Sequence, residues 1–190
     1  MIGNDIIDLQ VSKKSRWEEQ RFLDKLFTPG EEEFILDGQS KFLNIWLLWS
    51  MKESVYKIVS RDQKNQRFNP KDFHCRVVSD TTNSVCFENK WFQTDTLIQN
   101  GFIHTIAYFK TGNIIANQFR LQTNDINTQS VEIKEACIKD FSNFKSIPVS
   151  SISLKNNHLG IPQMYVDDKL QNEKISISHH GCFGGFAIAI

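Results

Sequence analysis

The chain has 190 residues, of which 40% are apolar and 23% are charged, so a folded core is expected rather than disorder. Lysine plus arginine equals aspartate plus glutamate at 22 each, and this balance argues against broad nucleic-acid binding, which depends on excess basic charge. The four cysteines show no CxxC pair and no zinc-ligand spacing, so we predict reduced thiols in a cytoplasmic protein. The sequence shows no signal peptide and no apolar run of about 18 residues, so no membrane association is expected.

The first elements in chain order are a strand and two helices. Residues 2–9 are rich in isoleucine and are predicted to form a strand, and residues 15–27 have the apolar spacing of a helix. The next helix has the clearest start in the chain, because Thr28 is a good N-cap and Glu31 completes a capping box. We expect this helix to end near Gly38.

The rest of the chain alternates between helix and strand patterns. Residues 41–60 predict a long apolar helix, and four β-rich runs follow between residues 73 and 121. The polar stretch 122–129 has the composition of a lobe boundary. Residues 130–144 predict a helix, and residues 150–190 predict short strands.

This order of elements predicts an α+β fold built as two lobes. We expect a first lobe at 1–121 that holds the candidate metal-binding residues and a smaller lobe at 130–190. The functional site is expected between the two lobes.

Charged residues on the long helix 41–60 need an explanation. Glu53 and Lys57 are four residues apart and share one helical face, and Trp49 and Tyr56 flank them. A solvated surface pair is one interpretation, worth a few tenths of a kcal/mol. The aromatic neighbours favour partial burial, and a partly buried carboxylate needs a partner such as a metal ion.

Asp5 is a second carboxylate in an apolar setting. Aspartate is disfavoured within strands, so Asp5 marks an edge position or a turn, or else a carboxylate held rigidly for a hard cation. Mg²⁺ takes one or two protein carboxylates and completes its shell with water and phosphate oxygens. Asp5 and Glu53 would be sufficient for such a site.

The third feature is the segment SISHH at 176–180, close to the last glycine-rich strand. A lone histidine is more often structural than functional. Here, however, two serine hydroxyls and an imidazole at a strand end have the chemistry to hold a phosphate.

Together these features resemble the 4′-phosphopantetheinyl transferase superfamily. Residues 2–9 resemble its G-x-D strand motif, and residues 48–57 resemble its W/F-x-x-K-E-x-x-x-K helix motif. Residues 175–180 resemble its S-x-S-H motif, and residues 27–35 its F-[ST]-x-x-E helix start. The stretch from about 60 to 125 carries little of the family pattern.

The resemblance implies transfer of phosphopantetheine from coenzyme A to a serine of an apo acyl or peptidyl carrier protein, with Mg²⁺ or Mn²⁺ as cofactor. Asp5 and Glu53 would be the metal ligands, and Glu53 and Lys57 the catalytic residues, with Glu53 removing the serine proton directly or through water. The coenzyme A-binding residues implied are His179, Ser178, Lys57, Lys52, Gly160 and Pro162. The alternative is a module that binds coenzyme A or the carrier protein without turnover.

The order of the motifs implies a circular permutation. In two-lobed members of the family S-x-S-H precedes G-x-D, whereas here G-x-D is near the start and S-x-S-H near the end. We therefore expect a monomeric pseudo-dimer of two α+β lobes, in which Met1 and Ile190 lie close together.

One position departs from the family pattern. In the segment 157–165, Ile161 stands where the family has a lysine of a G-K-P segment. This removes one expected phosphate contact, for which Lys155 or Lys134 are the candidate substitutes.

Overall fold

The computed structural model describes residues 1–61, 67–78, 83–110 and 112–190. Positions 79–82 and 111, which fall within the predicted β-rich region, lie outside the described residues. The protein has an α+β fold, as predicted, and its described helices and strands form two lobes with separate hydrophobic cores.

The first lobe packs helices against one antiparallel sheet of five strands. In this sheet the strand order is β1-β5-β4-β3-β2. Its elements are β1 (Ile2–Asp8), α1 (Leu9–Ser12), α2 (Gln20–Leu26), α3 (Pro29–Asp37), α4 (Lys41–Val59), β2 (His74–Val77), β3 (Asn83–Phe87), β4 (Lys90–Gln99) and β5 (Phe102–Tyr108).

The second lobe packs one long helix against two three-stranded antiparallel sheets, ordered β10-β11-β6 and β7-β8-β9. Its elements are β6 (Ile114–Arg120), α5 (Ile126–Lys145), β7 (Ile152–Asn156), β8 (Pro162–Val166), β9 (Lys169–Leu170), β10 (Lys174–His180) and β11 (Phe183–Ala189).

The position of β6 differs from the predicted division of the chain. The sequence placed residues 114–120 in the first lobe, but β6 pairs with β11 and is the edge strand of a sheet in the second lobe. Its apolar side chains Ile115 and Phe119 pack against the second core, which explains the choice of sheet. The change of lobe therefore falls before β6 and not at 122–129.

Two helix starts also differ from the sequence prediction. Helix α2 begins at Gln20, because the Ser15 hydroxyl donates to the carbonyl of Ser12 in a preceding turn. Helix α5 begins at Ile126, because the Asp125 carboxylate accepts from the backbone N–H of Thr128 and caps the helix earlier than expected. Helix α3 starts as predicted, with the reciprocal capping box of Thr28 and Glu31 present.

Each lobe is organised around its long helix. Helix α4 buries Met51, Val55 and Ile58 against the five-stranded sheet, and the three side chains are fully inaccessible to solvent. Helix α5 likewise buries Ile133, Cys137 and Phe141 in the second core. No helix in the described parts of the chain is long and apolar enough to cross a membrane.

The first and last residues are held by the same connection between the lobes. The backbone N–H of Phe109 donates to the Met1 carbonyl at 3.4 Å, and the Ile190 N–H donates to the Asn113 carbonyl at 2.9 Å. Met1 and Ile190 are therefore bonded to residues that are only four positions apart in the chain, Phe109 and Asn113. This is the arrangement that a circular permutation requires, and the permutation itself stays a prediction.

Candidate active site

Strand β1 lies between the two lobes and contacts both. Gly3 packs against α4 so closely that a Cβ atom would lie 2.0 Å from the Ser54 carbonyl oxygen. On the other side, the backbone N–H of Asn4 donates to the Ser176 hydroxyl of β10 at 2.9 Å. Residues of β1 are thus held between the long helix of one lobe and a strand of the other.

Asp5, Glu53 and Lys57 form a charged cluster where β1 meets α4. The Lys57 ammonium lies 3.4 Å from Asp5 Oδ1 and donates to the Asn4 carbonyl at 2.8 Å. Burial and then the negative charge of Asp5 raise the pKa of Glu53 to about 7, against the opposing effect of Lys57. Burial also raises the pKa of Asp5, although the positive charge of Lys57 opposes this. One lysine therefore does not fully compensate two neighbouring carboxyl groups.

The same place holds buried polar atoms that have no hydrogen-bond partner among the described residues. They are Asn4 Oδ1, Asp5 Oδ2 and Ser50 Oγ. An unpaired buried polar atom costs about 1–3 kcal/mol of stability. The concentration of such atoms where β1 meets α4 therefore indicates a site at which a ligand or an ion would pair with them.

The two carboxyl groups fit a hard divalent cation. One buried oxygen of Asp5 has no hydrogen-bond partner among the described residues, and burial and the charge of Asp5 raise the pKa of Glu53. A bound cation would give the Asp5 oxygen a partner and would lower the pKa of Glu53. Within the described residues no group of three or more His, Cys, Asp or Glu side chains could hold a metal. The fit is therefore to a cation that takes two protein ligands and fills its shell otherwise, as Mg²⁺ does.

Strand β10 covers the free edge of β1 with side chains. Ser178 Oγ accepts from the Asn4 side-chain amide at 2.7 Å, and His180 Nδ1 accepts from the Asp8 N–H at 2.9 Å. With Ser176, these residues alternate along the strand and so lie on one side of it. The S-x-S-H pattern pointed to His179, but His180 is the histidine that shares a side with the two serines.

His179 lies on the opposite side of β10 and is exposed. Burial, followed by the charges of Lys57 and His180, lowers the pKa of His179. His180 joins β10 to β1, while His179 stays exposed on the other side of β10.

Asp8 closes the far end of this contact. Its Oδ2 accepts from the Cys182 N–H at 3.0 Å, and its Oδ1 accepts from the Gln10 N–H at 2.9 Å. Although burial opposes it, these hydrogen bonds lower the pKa of Asp8. Gly181 is at a positive φ of 57°, and a Cβ there would lie 2.2 Å from Asp8 Oδ2. Asp8 is thus a structural link between lobes.

His104 on β5 is a buried neutral partner of Asn4. Its Nε2 lies 3.1 Å from the Asn4 side-chain nitrogen, and burial lowers the pKa of His104 to about 4. The two hydrogens of the Asn4 amide therefore go to His104 and to Ser178 Oγ. This leaves the proton of the Ser178 hydroxyl for another acceptor. Asn4 was not among the predicted site residues, but its polar side chain in an apolar strand was a usable signal.

Lys52 does not reach the cluster. Its ammonium is fully buried and forms a 2.7 Å ion pair with Glu31, and it also donates to the carbonyls of Leu26 and Pro70. Glu31 in turn accepts from the Cys75 N–H at 2.8 Å. The expectation that Lys52 contacts coenzyme A is replaced by a structural role. The turn of about 100° between adjacent helical residues sends Lys52 inward and Glu53 toward the cleft.

A cavity of about 340 Å³ lies beside the charged cluster, between the end of α4 and the second lobe. Lys57, Gly160 and Pro162, three of the predicted coenzyme A-binding residues, line it together, and their role in binding stays a prediction. Arg61, which sequence analysis missed, also lines this cavity. The arrangement joins a carboxylate pair suited to a cation with an adjacent cationic cleft suited to phosphate groups.

A two-lobed α+β protein with this pairing of carboxylates and cationic cleft is a candidate phosphate-transferring enzyme. The chain belongs to the 4′-phosphopantetheinyl transferase superfamily, whose family model matches residues 1–107. The matched region contains Asp5, Glu53 and Lys57.

Among solved structures, the chain is similar to the holo-[acyl-carrier-protein] synthase of Thermotoga maritima. The two are 10% identical, the superposition covers 87% of this chain and 82% of that chain, and the TM-score is 0.44. No curated protein matches this chain significantly in sequence.

Proposed function

We propose that this protein transfers the 4′-phosphopantetheine group of coenzyme A to a serine hydroxyl of an apo acyl or peptidyl carrier protein. Membership of the superfamily supports the reaction class. The single observation that carries the proposal is the partly buried cluster of Asp5, Glu53 and Lys57 beside a cationic cavity. The fold builds this cluster at considerable cost, since it leaves Asp5 Oδ2 without a partner among the described residues.

Asp5 and Glu53 would hold Mg²⁺, or Mn²⁺ in its place. Such a cation, when bound, neutralises diphosphate charge and so favours displacement at phosphorus. The Lys57 ammonium, held by Asp5 and the Asn4 carbonyl, is oriented toward the cavity and binds the diphosphate. Gly160 and Pro162 form the opposite wall, where the backbone approaches the ligand.

Glu53 acts as the general base, directly or through a water molecule. The serine oxygen of the carrier forms a bond to the phosphorus next to pantetheine, the bond from that phosphorus to the bridging oxygen breaks, and 3′,5′-ADP leaves. The serine proton passes to Glu53. The pKa of about 7 belongs to the metal-free site, and a bound cation would lower it, so that Glu53 would be present as the carboxylate that accepts the proton.

The second lobe supplies the remaining ligand contacts. Ser178, whose oxygen accepts from Asn4, has its hydroxyl proton for a phosphate oxygen, and the exposed His179 on the same strand would supply a second contact. The site needs residues from β1, α4 and β10 of one chain, and this supports action as a monomer. Light scattering after gel filtration tests that point.

The function is tested by incubating the protein with coenzyme A, Mg²⁺ and a panel of apo acyl and peptidyl carrier proteins. A mass gain of one phosphopantetheine on a carrier, lost with EDTA and restored by Mg²⁺ or Mn²⁺, is the expected result. Binding of coenzyme A or carriers with no mass gain across the panel would instead identify a module without turnover.

A further inference from the structure

Ser50 places a fully buried hydroxyl on the face of α4 that carries the charged cluster. It lies three residues before Glu53 and seven before Lys57, and residues at these intervals share one side of a helix. Its side chain is inaccessible to solvent. The hydroxyl therefore lies inside the contact between α4 and β1, where any group that it meets is another buried group.

The packing of β1 on α4 brings Ser50 next to Asp5. Met1 lines a cavity together with the last turn of α4, and Gly3 contacts the Ser54 carbonyl one turn earlier, so the strand runs against the direction of the helix. Asp5 lies two residues beyond Gly3, a rise of roughly 7 Å along the strand. One turn before Ser54, roughly 6 Å along the helix axis, is Ser50. The two steps match, so Asp5 lies over Ser50.

The two side chains are neighbours that do not satisfy each other. The Ser50 hydroxyl lies beside the Asp5 carboxyl. They do not form a complete hydrogen bond, since Ser50 Oγ and Asp5 Oδ2 both lack a partner among the described residues. A buried donor and a buried acceptor therefore lie side by side, and each is left unsatisfied at a cost in stability.

Ser54, one turn later, shows what a buried serine of this helix does when its role is structural. Its hydroxyl donates to the Ser50 carbonyl at 2.8 Å and toward the Thr105 carbonyl at 3.0 Å. A serine within a helix commonly bonds in this way to the carbonyl four residues earlier. In the described parts of the chain, Ser50 Oγ makes no such bond, so its proton is available to a partner outside the helix backbone.

We propose that Ser50 is a positioning residue of the cation site, and that its hydroxyl donates to Asp5 Oδ2 when the cation is bound. A carboxylate oxygen has two lone pairs, so Oδ2 can accept this bond and bind a cation at the same time. Lys57 lies 3.4 Å from Oδ1, so the carboxylate would be held at both oxygens. The inference rests on the proposed function, in which Asp5 and Glu53 hold the cation.

The affinity of the metal-free protein for Mn²⁺ tests this role without turnover. Titration with Mn²⁺ alone, followed by electron paramagnetic resonance, compares wild type with Ser50→Ala. Ser50→Ala is expected to bind Mn²⁺ roughly 10- to 100-fold more weakly, the usual effect of removing a hydrogen bond that orients a metal ligand. Equal affinities would overturn the proposal, and so would a wild-type protein that binds no Mn²⁺.

Urea unfolding in EDTA separates positioning from a structural role. Because Ser50 Oγ has no partner in the metal-free structure among the described residues, Ser50→Ala should leave the free energy of unfolding unchanged or raise it. Ser54→Ala is the matched control, because it removes a buried hydroxyl of the same helix whose hydrogen bonds are complete. It should lower the free energy of unfolding and leave the Mn²⁺ affinity as in wild type. Equal destabilisation of the two variants in EDTA would identify Ser50 as structural and overturn the proposal.

The carrier assay links the inference to the proposed function. Ser50→Ala should need roughly 10- to 100-fold more Mg²⁺ for half-maximal transfer, and excess Mg²⁺ should restore the rate. Transfer by Ser50→Ala with the Mg²⁺ requirement of wild type would support the function and overturn this inference. If no carrier protein is modified while Mn²⁺ affinity still depends on Ser50, the proposed function fails and the role of Ser50 in cation binding stands.

Discussion

Gly3 on β1 and Ser54 on α4 are in such close contact that no larger residue than glycine fits at position 3. A Cβ at Gly3 would lie 2.0 Å from the Ser54 carbonyl oxygen and 3.1 Å from the Ile58 side chain. Because Asp5 follows two residues later on the same side of the strand, this contact sets the distance between Asp5 and the charged side chains of α4. The G-x-D motif therefore needs glycine at position 3 because any side chain there would clash with α4.

Gly3→Ala is expected to destabilise the protein by about 1–3 kcal/mol, the usual cost of overpacking, and to lower transfer activity by moving Asp5 away from α4. Urea unfolding and the carrier assay measure the two effects. Gly30→Ala is the control, since nothing lies within 4 Å of a Cβ at that helical position. Equal stability of the two variants would contradict the packing argument.

Lys52→Met is expected to lower the free energy of unfolding strongly while leaving the affinity of the folded protein for coenzyme A unchanged. Lys52 and Glu31 form a fully buried ion pair at 2.7 Å, and removing one partner of such a pair costs about 3–5 kcal/mol. Denaturation curves measure the loss, and the double variant Lys52→Met/Glu31→Gln should recover part of it.

A raised KM for coenzyme A in folded Lys52→Met, measured at low temperature, would contradict the structural role. It would return Lys52 to the ligand site that the sequence suggested.

Glu53→Gln is expected to abolish transfer and to stabilise the metal-free protein at high pH. The pKa of Glu53 is about 7 in the folded state against an ordinary value of 4.5, so its stabilising contribution is present below pH 4.5 and is lost as the pH rises through 7. Glu53→Gln has no carboxyl group at this position and so does not lose stability in this way. Its free energy of unfolding should therefore rise relative to that of wild type between pH 4.5 and 7, by about 3 kcal/mol at most.

Urea unfolding in EDTA at a series of pH values measures this difference, with the exposed Glu33→Gln on α3 as the matched control. A Glu53→Gln protein that transfers at a near-normal rate would remove Glu53 from the mechanism. A stability difference independent of pH would contradict the raised pKa.

His104 predicts a separate pH dependence. Its pKa is lowered by burial from 6.5 to about 4, so the folded state favours the neutral imidazole and its contribution is fully present above pH 6.5. Stability should fall as the pH drops from 6.5 to 4, by about 3 kcal/mol at most from this group.

His104→Gln should flatten the curve in this interval, because glutamine can still accept from Asn4 but does not take up a proton. His74→Gln, at an exposed position on β2, should leave the curve as in wild type. Identical curves for wild type and His104→Gln would contradict the assignment of a buried neutral His104.

The part of the candidate site that local patterns could predict is the part made by one helix or one strand. The α3 capping box needs only neighbouring residues, and it forms as expected between Thr28 and Glu31. Likewise, the stripe of Glu53 and Lys57 follows from helical spacing, and the structure brings both to the same face with Asp5. The roles given to these residues remain proposals.

Local patterns could not predict which of two adjacent polar residues faces the site and which has a structural role. Lys52 and Glu53 are adjacent charged residues on one helix, and the sequence does not show which of them is buried. The packing of α4 against α3 pairs Lys52 with Glu31. His179 and His180 are likewise equivalent in sequence, and β10 turns His180 toward Asp8. The choice depends on partners many residues away.

Local patterns were enough to predict most elements, the α+β class and the family, because helix caps, side-chain periodicity and short motifs involve neighbouring residues. The packing of the whole chain places β6 in the second lobe, buries Lys52 with Glu31 and brings Arg61 to the same cavity as Lys57. Each of these depends on contacts between distant segments. Such contacts are selected by the burial of apolar surface and the pairing of buried charges in the whole fold, which no local pattern contains.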